Sequence, residues 1–367
     1  MVPTSFSRTL FTLALVATSL HAQNITSVGV LPGGTFSQCS ATSANGHVVV
    51  GISFGEWGQT PDRSFRIVGN GLAHDIGVFP GATDMWATSV SGNGATTVGL
   101  AFTPTGLRAF RLRNGVFDDL GVLPGAPYGA EAYGTNQDGS VVVGTSSSPG
   151  DQFRAFRWTQ PTGMVDLGVL PGGSYSFGNA VSASGTAVVG SSSSSNGEQA
   201  FRWTPNGGMR ALQSIDPSFG SGAYAVSSTG TWVAGYSGTT ATRWNANGQV
   251  QDLGTLTGGE FSTAYAMSGN GHIVGGFSED ANFNALAMVW APALGMVDLN
   301  EFLPELGVDL TGWELSITTG ISADGRTLVG LGKFEGEDRG WIARVQNPGP
   351  GGIGWWITAW LHRHCHH

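Results

Sequence analysis

Charge is scarce in this chain of 367 residues: Asp, Glu, Lys and Arg together make 11% of it, and Lys333 is its one lysine. With a formal net charge of −9 there is no basic stripe to neutralise phosphates, which argues against nucleic acid as a partner. Cysteine is as sparse. Cys39 and Cys365 stand at opposite ends, and two thiols do not make the disulfide framework of a small secreted domain. No apolar run is long enough to span a bilayer. The run from Leu10 to Leu20, behind the single positive charge of Arg8, has the layout of a secretory signal cleaved after Ala22. No Cys follows it closely to carry a lipid. H-E-x-x-H, a P-loop and G-x-G-x-x-G in a βαβ setting are all missing, so the common metalloprotease and nucleotide sites are not indicated.

What the chain has instead is glycine, 59 residues of it, placed periodically. Seven pairs stand five positions apart: Gly46/Gly51, Gly94/Gly99, Gly139/Gly144, Gly185/Gly190, Gly230/Gly235, Gly271/Gly276 and Gly325/Gly330. Asn45, Asn93, Asp138, Asn270 and Asp324 precede the first Gly of five pairs. Asn-Gly and Asp-Gly supply the two positive-φ positions of a tight turn, so each copy is expected to be a β-hairpin. The fourth copy shows a whole unit: strands at Ala180 to Ala183, Thr186 to Ser192, Gln199 to Thr204 and Met209 to Leu212. Four short strands in a repeat of about 45 residues is the size of a propeller blade.

Between units lies a second signature, Gly29-Val30-Leu31-Pro32-Gly33-Gly34, which recurs from Gly77, Gly121 and Gly168 and, varied, from Gly254. It reads as the crossing from the outer strand of one blade to the inner strand of the next. The last unit runs into Asn347-Pro348-Gly349-Pro350 without an outer strand. Asn24 to Val28 stands where every other blade places that strand. The expected fold is therefore an all-β, seven-bladed β-propeller of four-stranded antiparallel blades, ring closed by the N-terminal strand. The expected organisation is a signal peptide over 1–22, the propeller over 23–347 and a C-terminal tail over 348–367.

Gly168-Val169-Leu170-Pro171-Gly172-Gly173, Val188-Val189-Gly190 and Ala200-Phe201-Arg202-Trp203 resemble the HAF-repeat family of bacterial extracellular proteins. The family pattern is D-L-G-x-L-G-G-G, then V-V-G, then H-A-F-x-W. Its His is replaced here by Arg63, Arg108, Arg154 and Gln199. The resemblance covers most of Asn24 to Val345. It implies an exported repeat protein and assigns no reaction.

Recurring residues supply the candidate sites. Aromatic residues follow the crossings at Phe36, Tyr128, Tyr175, Phe219 and Phe261, with Glu131 and Glu260 nearby. Phe36, Tyr128, Tyr175 and Phe261 stack on sugar rings if they rim the channel, and pack between blades otherwise. Trp57 lies in the longest of the variable loops, which are the usual seat of binding. Arg66, Arg111, Arg157, Arg202 and Arg243 are followed eight or nine positions later by Asp75, Asp119, Asp166 and Asp252 in four units. That spacing predicts an Arg–Asp pair across each outer hairpin, fixing strand register. His362-Arg363-His364-Cys365-His366-His367 has the ligand types for Zn or Cu, or is an unstructured end. No D-x-D-x-D-G loop for calcium occurs, and no cofactor is implied. The expected role is a secreted, non-catalytic binding module for carbohydrate or cell-wall polymer. A polysaccharide hydrolase or lyase using acids at the channel mouth, and a surface scaffold without ligand, are the alternatives.

Overall fold

A computed structural model describes residues 23–150 and 152–345. The expected signal segment, 1–22, and the tail with its His/Cys cluster lie outside the described residues. Seven antiparallel sheets follow one another around a central channel, forming a seven-bladed β-propeller. The inner strands of blades 1 to 7 are Gly34–Thr42, Asp84–Val90, Ala130–Thr135, Ser176–Val181, Ser221–Val226, Ser262–Met267 and Trp313–Ile321. In blade 4 the strands are Ser176–Val181, Val188–Ser194, Gly197–Thr204 and Gly208–Ala211; the last three lie within two residues of the expected bounds, while the first begins four residues before the expected Ala180.

The ring is closed by the N-terminal segment. Gln23–Val28 pairs with Glu337–Arg344 in register Ile25↔Ala343 to Val28↔Gly340, taking the outer place in blade 7. Val308–Asp309 adds a fifth strand beside it, parallel to Gln23 and Asn24. One element departs from the all-β expectation. Three crossings run Asp-Leu-Gly and one Asp75-Ile76-Gly77, with Gly77, Gly121, Gly168 and Gly254 at positive φ. Ala211-Leu212-Gln213 joins blades 4 and 5 without a helix, whereas at Asp298-Leu299-Asn300, between blades 6 and 7, the chain enters a short helix, Leu299–Glu305, capped by Asp298 and burying Leu299, Phe302 and Leu303.

The inner hairpins are built differently from the expected turn. Only the Gly has positive φ (Gly46 at 70°, Gly139 at 73°, Gly325 at 73°), and the preceding Asn or Asp does not. The conformation is held by a side chain two residues before the Asn. Ser43 Oγ accepts from Val48 N at 2.9 Å, and Ser91, Asn136, Ser182, Ser227, Ser268 and Ser322 accept likewise in the other blades. These groups are buried, so each bond satisfies a donor that would be costly to orphan. The turns then link to one another. Ala44 N donates to Gly92 O, Asn93 N to Gln137 O, Gln137 N to Ala183 O, Ala183 N to Ser228 O, Ser228 N to Gly269 O, Gly269 N to Ala323 O and Ala323 N to Ala44 O, at 2.8 to 3.1 Å. A closed belt of backbone hydrogen bonds thus encircles one end of the channel.

The recurring arginines are also structural, with partners other than those expected. Arg66, Arg157, Arg202, Arg243 and Arg344 donate to the carbonyls of Gly94, Gly185, Gly230, Gly271 and Gly46, each in the hairpin of the next blade. The Asp residues turn away to cap the crossings: Asp75, Asp119, Asp166 and Asp252 accept from the N–H of Gly77, Gly121, Gly168 and Gly254 at 2.7 to 2.9 Å. None of the expected pairs forms among the described residues: Arg111 meets Asp118 at 3.2 Å, and Asp119 and Asp166 lie 3.7 and 3.8 Å from Arg108 and Arg154 rather than beside Arg111 and Arg157. The arginine therefore staples blade to blade, because a guanidinium reaches the neighbouring turn while the short Asp is satisfied locally.

Arg243 is the most enclosed of these staples, lying over Trp232 and Trp290 at 4.0 and 4.6 Å and also bonding Gln251. Arg243→Met is expected to cost about 2–4 kcal/mol, since charge-assisted bonds and stacking are lost together. Arg326→Met, which breaks an exposed pair with Asp324 at 3.9 Å, should stay within about 0.5 kcal/mol. Urea denaturation of the two variants checks the contrast, and equal losses would remove the staple.

Cys39 is fully buried against Val329 and Ile342, and burial pushes its thiol far above the usual range. The thiolate is the reactive form. Peptide mapping after treatment with a thiol reagent should therefore find Cys39 unmodified in folded protein and modified in denaturant. Equal labelling in both would place it at the surface.

Candidate functional site

Every inner strand carries an extra residue at the same place in the repeat, and those of blades 1 and 7 carry a second, Thr35 and Ser316. Register shifts skip Ser40, Thr88, Tyr133, Asn179, Tyr224, Tyr265 and Thr319, and all seven line the channel. A bulge re-aims the side chain of the unpaired residue, so the repeat places a girdle of seven around the axis. Three members reach to the next blade: Thr88 Oγ1 donates to Ala132 O, Asn179 Nδ2 to Ala223 O and Thr319 Oγ1 to Cys39 O, at 2.7 to 2.9 Å. Tyr133, Tyr224 and Tyr265 present aromatic surface instead.

On the crossing-loop side of the girdle stand Gln38, Trp86 and Glu131, two residues earlier in their strands. The channel here encloses about 930 Å³. Towards the belt, Thr42, Val90, Thr135, Val181, Val226, Met267 and Ile321 line a second space of about 140 Å³. The crossing loops and the loops between second and third strands share the wider end, as expected: Thr60 Oγ1 donates to Gly33 O, and Ser195 N to Pro171 O.

Aromatic chains run around that end. Phe36 stacks on Phe54 at 4.3 Å, Phe54 meets Trp86 at 6.0 Å, and Trp86 meets Phe102 at 5.1 Å. On the opposite arc Tyr236, Tyr224, Tyr265, Phe277 and Phe261 follow one another at 5.2 to 6.1 Å. Asp62, from the loop of blade 1, holds Trp86 by accepting from Nε1 at 2.8 Å. The Tyr133 hydroxyl donates to Glu131 Oε2. Burial raises the hydroxyl pKa of Tyr133, Tyr224 and Tyr265, with Glu131 adding to the effect at Tyr133. All three are neutral donors at ordinary pH.

Of the residues proposed from sequence, Glu131 alone lines the channel. Phe36, Tyr175 and Phe261 belong to the aromatic chains, Tyr175 through Phe177 at 5.5 Å. Trp57 is 99% exposed and Tyr128 56% exposed, both on the wide face, and Glu260 is exposed beside Phe261. The structure does not gather the seven into one cluster. Sequence reading missed Trp86 as a channel residue, and Tyr133, Asn179, Tyr224 and Tyr265 altogether. A signal was available: each girdle residue stands six positions before the hairpin Gly of its unit. A G-x-S-x-G nucleophile-elbow pattern, expected from sequence to be absent, is present at Gly51-Ile52-Ser53-Phe54-Gly55. Its Ser53 is buried in a strand and accepts from Leu31 N at 3.0 Å, with none of the strand-to-helix geometry that exposes such a serine. Among the described residues no group of three or more His, Cys, Asp or Glu side chains could hold a metal ion, and no helix is long and apolar enough to cross a membrane.

No protein-family model matches this chain, and no curated protein does. Solved structures match in fold. An oligogalacturonate lyase in complex with manganese is 11% identical, with a TM-score of 0.56 over 88% of this chain and 93% of that one. An oligogalacturonate lyase from Vibrio parahaemolyticus is 10% identical, with a TM-score of 0.56 over 88% and 94%. TolB from Acinetobacter baumannii is 17% identical, with a TM-score of 0.43 over 58% of this chain and 52% of that one, so this chain spans about half its length. At these identities the likeness is one of fold: the β-propeller ring is shared.

Proposed function

We propose that this protein is an exported, non-catalytic binding module whose site is the wide end of the channel, and that it takes carbohydrate or cell-wall polymer. The observation that carries the reading is the girdle. Trp86, Tyr133, Tyr224 and Tyr265 offer aromatic faces beside Glu131, Asn179 and Gln38 in one 930 Å³ space. Apolar rings flanked by a few fixed polar groups are what a sugar requires, since its C–H faces stack and its hydroxyls need donors and acceptors. The rim aromatics Trp57 and Tyr128 extend the surface over which a polymer lies. Export rests on the Leu10 to Leu20 run, and the HAF-type repeat reading on a motif that runs unevenly through the seven units.

The test is a thermal-shift screen of the intact chain against glycans and cell-wall fragments, followed by calorimetry on any ligand found. A ligand that binds only the folded state raises the melting temperature by mass action. Tyr224→Ala should then weaken binding about tenfold, the loss of roughly 1.4 kcal/mol of stacking. Turnover of a bound glycan, abolished by Glu131→Gln, would favour the hydrolase or lyase reading. No shift with any glycan would leave a scaffold that meets other proteins.

A further inference from the structure

The sign of charge along the channel is uniform. Among the residues lining the 930 Å³ space Glu131 is the only charged one. The seven inner strands contain Asp84, Glu131 and Glu314, and no Lys, Arg or His. Among the described residues the arginines stand on third strands, as Arg63, Arg108, Arg154 and Arg339 do, on a fourth strand (Arg210) or in a hairpin turn (Arg326), and none on an inner strand. Arg108 and Arg154 already face Asp119 and Asp166 at 3.7 and 3.8 Å. Nothing in the channel can therefore pair with a ligand carboxylate. A uronate entering it would lose hydration without a counter-charge and approach Glu131.

The opposite holds for a cation. Besides accepting from the Tyr133 hydroxyl, Glu131 makes no other side-chain hydrogen bond among the described residues, so acceptor capacity remains. The faces of Trp86, Tyr133, Tyr224 and Tyr265 share the space, and an ammonium group is attracted to such faces as well as to a carboxylate. We infer that the channel selects amino sugars bearing a free ammonium group, Glu131 being the residue that distinguishes them from N-acetylated or uronate sugars. This deepens the carbohydrate reading above and rests on it. It also separates this chain from the oligogalacturonate lyases, with which it shares the ring while its channel lining carries no basic residue.

Calorimetry on the intact chain at low salt, with glucosamine, N-acetylglucosamine and galacturonate oligomers of equal length, tests the inference. Glucosamine oligomers should bind about tenfold tighter than the N-acetylated ones, and galacturonate oligomers weakest. Glu131→Gln should abolish the tenfold preference for glucosamine over N-acetylglucosamine oligomers, read as the ratio of the two affinities. An unchanged melting temperature would show that the variant is folded. Gln38→Glu, adding a second carboxylate to the lining, should widen the preference without removing any existing contact of Glu131. Galacturonate binding as tightly as glucosamine, or a preference that survives Glu131→Gln, would overturn the inference. Equal binding of the two hexosamine series would do the same and leave the carbohydrate reading standing. Binding of none of the three series would overturn the inference, and the carbohydrate reading falls with it if no other glycan shifts the melting temperature either.

Discussion

Gly144→Ala should destabilise the protein by about 3 kcal/mol or more and disturb the channel, although the change adds a single methyl group. A Cβ at Gly144 would lie 1.9 Å from the carbonyl oxygen of Glu131. The same collision awaits at all seven second glycines, with the carbonyls of Gln38, Trp86, Glu131, Phe177, Gly222, Thr263 and Ile317 at 1.8 to 2.1 Å. These carbonyls belong to the residues two before each girdle position, so the glycine provides the room in which the bulge forms. The obstacle is backbone within a sheet, and it yields only if the bulge itself moves. Tyr133, the bulge residue of that blade, would move with it, and ligand binding should fall alongside stability. Gly150→Ala is the control. Gly150 has φ of +79° and nothing within 4 Å of a Cβ, so only the left-handed penalty of about 1–2 kcal/mol applies. Urea unfolding of the two variants decides it. If Gly144→Ala costs no more than Gly150→Ala, the second glycine is not the seat of the bulge.

That glycine also marks how far the chain could be read unaided. Its period revealed the blade, because a hairpin and a close approach recur at fixed spacing and leave a residue that nothing else can replace. Closure was legible for the same reason, since Asn24 to Val28 occupies a place in the period that the last unit leaves unfilled. Leu299, Phe302 and Leu303 have the spacing of a buried helical face, but over a seven-residue helix of about two turns the pattern is too short to stand out against strands. Contacts between units were the harder part. Arg157 and Asp166 stand at hairpin spacing, yet Arg157 bonds Gly185 and Asp166 bonds Gly168. Spacing within a unit carries no mark of the neighbouring blade. Channel-lining residues keep a period of two along the inner strand, as Glu131, Tyr133 and Thr135 show, so the step was legible but the residue type was not. Ser40, Thr88, Tyr133, Asn179, Tyr224, Tyr265 and Thr319 share a place in the repeat and no common side chain.

Removing Gln23–Val28 should cost on the order of 5 kcal/mol, far more than six residues of an ordinary terminus. The strand supplies the register pairs from Ile25↔Ala343 to Val28↔Gly340. Its Val28 is 2% exposed, packed with Leu31, Cys39, Phe65 and Ile342. Burial of one such side chain is worth roughly 1.5–3 kcal/mol, and each ladder hydrogen bond about 1 kcal/mol. Val28 also ties the first blade to the last, as Ser37 Oγ donates to its carbonyl at 2.8 Å and Gly340 N donates to that same Ser37 Oγ. Losing the strand would free both ends of the ring and bare the edge of Glu337–Arg344, and an unpaired edge recruits other chains. The deletion should therefore lower the melting temperature and promote association on size-exclusion chromatography. Thr26→Ala, at an exposed position of the same strand, should do neither. A deletion variant that melts with the intact chain and elutes as it does would show that the ring is held by blade-to-blade contacts alone. The Arg staples and the hydrogen-bonded belt would then have to carry the closure, and combining the deletion with Arg344→Met, which cuts the staple from blade 7 to Gly46, would expose that dependence.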